Sequence, residues 1–437
     1  MKKLLRNDTY LPKYYNSELN EVDISTTDFT AYGLDPLGVL QTLLQCAVIP
    51  PVTPYSDITS LAPFDGFNPG NQQYFYTKYP SINDNKGYDY SITDFEEKFK
   101  NYFKNIPHNK PVSILFSGGK DSGVIAYLVK KLRPDLKIKL YFLDNEAEKP
   151  RAEFIAQELG YELVNISLTQ EVFFEAIENS RFFCTDLTYP EYYELIKQAR
   201  QWSDIILDGS GNDMYIGYVP AKNDFYRFFL KKFLPKKLKR FCADIDPRFK
   251  FLSKEQFTLN LFNHLPDIND VKVDPLLKEK YVSHAQHQEA QFKDFSFYDL
   301  RVNTRGRYLD NFQIYPKVLA CTDGKIDIRL PFTDFDLASY IHGIKMNQKW
   351  GAGKNKIIFR EYMSKSRLYD SLPGGKKGMP SSYLVYYNEV KLRLFKINSS
   401  FVIENKKLID KYPAFAYLLL YYYSYTKQNS IVDILEL

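Results

Sequence analysis

The sequence predicts an α/β protein: a parallel sheet flanked by helices over roughly residues 86–220, continued by a mostly helical region to residue 437. Three observations predict it. Short apolar runs alternate with helical patterns between residues 93 and 207, as in strand–helix–strand units. Two of those runs feed Gly-rich turns that carry an acid and open a helical pattern. Beyond Pro220 the strand signal fades and helical spacing takes over.

Residues 1–34 are polar and mixed, without a clear period. Leu37 to Ile49, LGVLQTLLQCAVI, reads as an amphipathic or buried helix ended by Pro50 and Pro51. A stretch rich in Pro, Asn, Gly and Asp then runs to about Asp89. It separates a short N-terminal segment, residues 1–85, from the main domain, residues 86–437. Thr93 to Ile106 carries Phe95, Phe99, Tyr102 and Phe103 on one helical side. Val112 to Phe116, bounded by Pro111 and Gly118, suits a buried parallel strand. Ser122 to Leu132 is a helix, Ile138 to Leu143 a strand, and Lys149 to Leu159 a helix stopped by Gly160. Tyr161 to Leu168, the Tyr189–Trp202 helix and Asp204 to Leu207 complete the alternation.

Composition narrows the class. With 44% apolar and 25% charged residues, the chain is not disordered, collagenous or a coiled coil. A net charge of +5 over 437 residues gives no general argument for nucleic acid. Cys46, Cys184, Cys242 and Cys321 form no CxxC pair, which argues against a zinc site, a redox pair or a disulfide framework. No apolar run follows the basic start, as a signal peptide would need. The most apolar stretch, PAFAYLLLYYYSY from Pro413 to Tyr425, falls short of the ~20 residues of a membrane span and reads as a buried or interfacial helix. A soluble, cytoplasmic protein is expected. Residues 226–240, YRFFLKKFLPKKLKR, hold seven basic residues and no acid. They read either as a solvated helical face with its apolar side packed, or as a contact for an anionic partner or membrane surface.

The chemistry lies in SILFSGGKDSGVIAYL, from Ser113 to Leu128. A buried strand runs into Ser117, Gly118, Gly119, Lys120, Asp121 and Ser122, and a helix follows. Two glycines permit a tight turn with exposed N–H groups, and the helix start adds a positive dipole end. Ser117 and Ser122 supply hydroxyl donors. Asp121 would repel phosphate unless a cation, most simply Mg2+, lay between them. The GxxxxGK[ST] spacing of a Walker A loop is absent.

The segment resembles the SGGxDS loop of the PP-loop ATP pyrophosphatases, which cleave ATP between its α- and β-phosphates. IILDGSGNDMYIGY, from Ile205 to Tyr218, resembles the SGEGADELFGGY signature of asparagine synthetases, with Gly209, Gly211, Asp213 and Gly217 in matching places. Asp35 to Phe67 is similar to the stretch joining that family's glutaminase and synthetase halves, and Leu143 to Leu168 to its second strand and adenine-side loop. KIDIRLPFTD (Lys325–Asp334) resembles LEVRVPFLD, GKNKIIFREYM (Gly353–Met363) resembles GGRTKYLLREAL, and GKKGMP (Gly375–Pro380) resembles the family's lysine–glycine stretch.

The resemblance implies a PP-loop domain that binds ATP through Leu115, Ser117, Gly118, Gly119, Asp121, Ser122 and Gly209. It implies Mg2+ shared by Asp121 and Asp213, and Lys376 (Lys377 lies one place away) stabilising pyrophosphate. Lys356 and Arg360 match basic residues of the family's helix, with packing or substrate-facing salt bridges as equal readings.

Three departures reshape the expectation. Position 2 is Lys2 rather than the glutaminase cysteine, and only about 85 residues precede the synthetase-like part, too few for a glutaminase domain. The nitrogen should therefore come from an amine, from free ammonia, or from ammonia supplied by a partner. The signature's two glutamates are Ser210 and Met214 here, and the glutamate of LEVRVPF is Asp327. Ser210 and Asp327 stand as a relay and base for the attacking amine, or Asp327 as a structural carboxylate paired with Arg329. The expected activity is ATP-dependent amide-bond formation through an acyl-adenylate, on a small-molecule or peptide carboxylate. Modification of a nucleobase or tRNA, or a non-catalytic scaffold, are the alternatives.

Overall fold

The computed structural model describes residues 5–6, 8–23, 27–71, 73–75, 87–180, 182–183, 186–211, 229–230, 232–245, 249, 252, 265–291, 326–351, 354–364, 381–428 and 433–435. The N-terminal segment is more ordered than its sequence suggests. Strands β1 (Leu5–Arg6), β2 (Lys13–Asn16) and β3 (Glu21–Val22) precede helix α1 (Pro36–Gln45). Strands β4 (Ile58–Leu61), β5 (Gly66–Asn68) and β6 (Gln73–Phe75) follow it. They form two antiparallel three-stranded sheets, ordered β3-β2-β4 and β1-β5-β6. Strands of two to four residues carry too few side chains to display a period-2 pattern, so the sequence hid them. The Asp35 carboxylate caps α1 by accepting from the Gly38 N–H at 2.7 Å. The helix stops at Cys46, whose φ of 53° leaves the right-handed region, before the expected end at Ile49.

The central sheet forms where the sequence placed it. Helix α2 (Ile92–Phe103) leads to β7 (Pro111–Leu115), α3 (Lys120–Leu132), β8 (Lys137–Leu143), α4 (Lys149–Leu159) and β9 (Glu162–Ile166). Helices α5 (Gln170–Glu178) and α6 (Tyr189–Ala199) then lead to β10 (Ile205–Asp208). A fifth strand, β11 (Asp327–Arg329), joins from the region read as helical. The order is β11-β10-β7-β8-β9, all parallel. Three residues at a sheet edge are too few for a strand signal, which is why β11 escaped the sequence reading.

Alternation sorts the strands' side chains into two layers. Val112, Ile114, Leu140, Phe142 and Leu207 pack in one core with α2, α3 and α4. Leu115, Tyr141, Leu143, Ile166 and Ile206 pack in the other with α5 and α6. The central strands β7, β8 and β10 are buried on both faces, while the outer strands β9 and β11 keep exposed or half-buried residues. The apolar stretch near the end forms a buried helix, Pro413–Gln428, with Tyr417, Tyr421, Tyr422 and Tyr425 fully enclosed. Among the described residues no helix is long and apolar enough to cross a membrane.

The start of α6 buries a carboxylate. Glu191 is fully enclosed. Its Oε1 accepts from the Ser382 N–H at 2.9 Å and the Ser382 hydroxyl at 2.6 Å. Its Oε2 has no hydrogen-bond partner among the described residues. Burial, opposed by the Ser382 bonds, pushes its pKa from 4.5 to about 7. The folded state thus binds this proton more tightly than the unfolded chain. Its stabilisation is full below the ordinary carboxylate pKa and is lost as pH rises through about 7, costing about 3 kcal/mol. Glu191→Gln is expected to remove that component, so that melting temperature falls less between mildly acidic and mildly alkaline pH than in the parent. Parallel pH profiles for the two proteins would refute it.

Candidate functional site

In the strand order β8 and β9 lie on one side of β7, and β10 and β11 on the other. The carboxyl ends of β7 and β10 therefore border the point where the sheet reverses direction, the place where open α/β sheets form ligand crevices. Both Gly-rich turns lie there. Ser117–Gly119 leaves β7, and Gly209–Gly211 leaves β10.

Ser117 and Ser122 close the first turn upon itself. The Ser117 N–H donates to Ser122 Oγ at 3.2 Å, the two hydroxyls lie 3.3 Å apart, and the Gly119 N–H donates to Ser117 Oγ at 3.3 Å. Gly118 has φ +65°, and a Cβ there would lie 3.3 Å from the Ala152 nitrogen, so the turn fits tightly against the start of α4. Gly119 occupies the N-cap of α3 without a side-chain hydrogen bond to the helix. A helix start whose N-cap residue brings no side-chain acceptor suits an anion at the positive end of the dipole. Leu115, buried at the end of β7, pairs in register with Asp208 and Tyr141. Gly209 brings the second turn onto the same helix start: a Cβ there would lie 2.9 Å from the Ser122 nitrogen and 3.0 Å from the Asp121 carbonyl carbon. The preceding Asp208 accepts from the Tyr192 hydroxyl at 2.5 Å, tying β10 to α6.

Asp121 lies in the first turn of α3 and pairs with Lys356. Nζ and Oδ2 are 2.6 Å apart, and the side chains are only 8% and 17% exposed, Lys356 being the lower. Lys356 has φ +53° and its carbonyl accepts from the Phe359 and Arg360 N–H groups, which starts the helix Ile357–Ser364. The sequence offered Lys356 as a match to the family's helix without assigning it to the loop. The contact depends on how that helix packs on α3, which spacing along the chain does not encode.

Ser210 is half-buried in the second turn. A Cβ on the adjacent Gly211 would lie 2.5 Å from Thr333 Cγ2, so KIDIRLPFTD reaches the site through Thr333. Asp327 does not accompany it. It pairs with Ile205 at the far end of β10, three residues before Asp208, and its Oδ2 accepts from Arg329 Nε at 2.7 Å and pairs with Nη2 at 2.6 Å. Asp327 lines a cavity of about 640 Å³ with Lys98, Tyr102, Arg329 and Asp334, on the α2 side. The expected Asp327–Ser210 relay is therefore not assembled: parallel register sets its two members at opposite ends of the strand pair. Asp213 and Lys376, with Met214, Gly217 and Lys377, lie outside the described residues.

Among the described residues no group of three or more His, Cys, Asp or Glu side chains forms a metal site. A magnesium ion bound with a nucleotide needs fewer, commonly one or two carboxylates plus phosphate oxygens and water. Asp121 fits that donor role, because its carboxylate already holds a cation, the Lys356 ammonium, beside an open helix start.

Fold and loop together are those of a PP-loop domain. The chain belongs to the asparagine synthase family, whose profile matches residues 105–381, more than half its length. No curated protein matches it. Among solved structures it is similar to an NMN synthetase from Francisella tularensis, at 18% identity over 48% of this chain and 98% of that one, with a TM-score of 0.24. It is also similar to an NH3-dependent NAD synthetase from Campylobacter jejuni, at 16% identity over 47% and 97% of the two chains, with a TM-score of 0.23. A predicted subunit of tRNA methyltransferase from Methanocaldococcus jannaschii is 25% identical over 23% of this chain, with a TM-score of 0.19. The match spans about half (53%) of that protein's length.

Proposed function

We propose that the chain is an ATP-dependent carbon–nitrogen ligase that works through an acyl-adenylate. A carboxylate oxygen of the substrate attacks the α-phosphorus of ATP, and the bond to the β-phosphate bridging oxygen breaks, releasing pyrophosphate. An amine or ammonia then attacks the acyl carbon and displaces AMP. The observation that carries this reading is the uncapped start of α3, enclosed by the Ser117–Gly119 and Gly209–Gly211 turns at the reversal point of the sheet.

Each residue has a distinct part in the proposal. Ser117, Gly118, Gly119 and Ser122 bind the phosphates through N–H and hydroxyl groups, and Leu115 and Gly209 bound the nucleotide. Asp121 and Asp213 are the proposed Mg2+ ligands. When bound, that ion would offset the charge of departing pyrophosphate. Lys376 is proposed to bind the same pyrophosphate. Lys356 adds a second positive charge beside the phosphates and orients Asp121. Ser210 remains a polar group at the acceptor side, next to Thr333. Residues 1–85 are proposed as a remnant of the glutaminase linkage.

Asp327 is proposed as the structural partner of Arg329 rather than as the base, a reading supported by their ion pair. Asp327→Asn is expected to leave both half-reactions within about fivefold of the parent, the scale of an exposed ion pair. A selective loss of amide formation of ~10²-fold or more would restore it as the base.

The test is carboxylate-dependent exchange of labelled pyrophosphate into ATP, run across a panel of candidate acids, followed by addition of ammonium, amines or glutamine. Exchange that depends on one acid, and amide formation with ammonium or an amine but not with glutamine, is the expected pattern. Glutamine-dependent amide formation by the purified chain would contradict the nitrogen assignment.

A further inference from the structure

The basic stretch singled out in the sequence packs only part of its apolar side. Phe229 and Phe233 are 50% and 62% exposed, with ring centroids 4.7 Å apart. On the helix Lys236–Ile245, Leu238, Phe241 and Ile245 are 43%, 60% and 66% exposed. Their spacing of three and four residues sets them on one face. The packed side holds other residues: Ala243 is buried, and Leu230, Leu234 and Cys242 pack on Leu252 in a cluster of their own. This reverses an ordinary surface helix, which turns its aromatic face to the core. Around that face stand Lys232, Lys236, Lys237, Lys239 and Arg240, against one acid, Asp244, among the described residues 229–245. The whole chain carries only +5, so this positive charge is a local concentration.

We propose that this face docks on an anionic lipid bilayer, lying in the headgroup plane with Phe233, Leu238, Phe241 and Ile245 inserted and the lysines on lipid phosphates. Charge complementarity argues for the anionic surface, and exposed aromatic rings argue for a partner with an apolar interior. A ten-residue helix is too short to cross a bilayer, so it lies at the surface. A nucleic acid would answer the lysines but leave the four apolar side chains in water.

Co-sedimentation of the full chain with vesicles tests this. Vesicles of phosphatidylcholine mixed with phosphatidylglycerol should bind the chain, and phosphatidylcholine alone should not. Lys236→Gln and Lys237→Gln should each weaken partitioning about fivefold. Phe233→Ser with Phe241→Ser should weaken it more than about tenfold. All four sites are exposed and outside the ATP site, so pyrophosphate exchange in solution should be unchanged in these variants. Failure to bind anionic vesicles would overturn the proposal. So would binding that the phenylalanine changes leave intact while the lysine changes abolish it, which would indicate a nucleic acid or another polyanion. A concentration-dependent dimer broken by the phenylalanine changes would indicate that a second copy covers the face. None of these outcomes bears on the adenylation reading, which the exchange assay judges separately.

Discussion

Asp121→Ala is expected to abolish carboxylate-dependent pyrophosphate exchange, with a loss of at least ~10²–10³, the usual cost of removing one electrostatic contact to the reacting phosphates. The variant removes the proposed metal ligand and also the carboxylate that pairs with Lys356, whose side chain is 8% exposed. Breaking one side of such a pair costs on the order of 3 kcal/mol of stability. Two losses are thus superimposed, and a second variant separates them. Asp121→Asn combined with Lys356→Met removes both charges and should recover much of the melting temperature. It should not recover exchange. If exchange returns with stability, Asp121 is a structural partner of Lys356 and the metal assignment fails.

Gly209→Val is expected to reduce ATP binding and turnover by at least ~10²-fold, on the scale set by misplacing a reacting group by about 1 Å. The physical cause is backbone on backbone. Any Cβ at residue 209 would lie 2.9 Å from the Ser122 nitrogen and 3.0 Å from the Asp121 carbonyl carbon, neither of which can rotate away. The first turn of α3 must move, and with it the N–H groups proposed to hold phosphate. Calorimetric titration with ATP reads the effect on binding, and circular dichroism reports whether the rest of the sheet persists. Parent-like ATP affinity in a folded Gly209→Val protein would mean that the phosphates do not rest on this helix start.

The parts legible in the sequence were those whose cause is local. Three central strands, β7, β8 and β10, announced themselves because burial on both faces demands apolar runs, and the loop at Ser117–Ser122 because glycines and hydroxyls at fixed spacing follow one of them. Helix α5 was missed: nine residues between Thr169 and Asn179 offer little more than two turns of pattern. Lys356 was legible only as a helix residue, since its meeting with Asp121 joins positions 235 residues apart. Of the two readings of Asp327, base or structural partner of Arg329, the sequence could not choose, for the complementary reason. Its place in KIDIRLPFTD matched a family position, but a parallel register with Ile205 determines which end of the sheet it occupies.

The most direct measurement is the fate of ATP labelled at the α-phosphate, incubated with the chain, Mg2+, an accepted carboxylate and an amine. The account predicts labelled AMP in equal amount to pyrophosphate and to amide product, with no ADP. Labelled ATP converted to ADP, with release of orthophosphate, would contradict cleavage between the α- and β-phosphates and with it the adenylation mechanism.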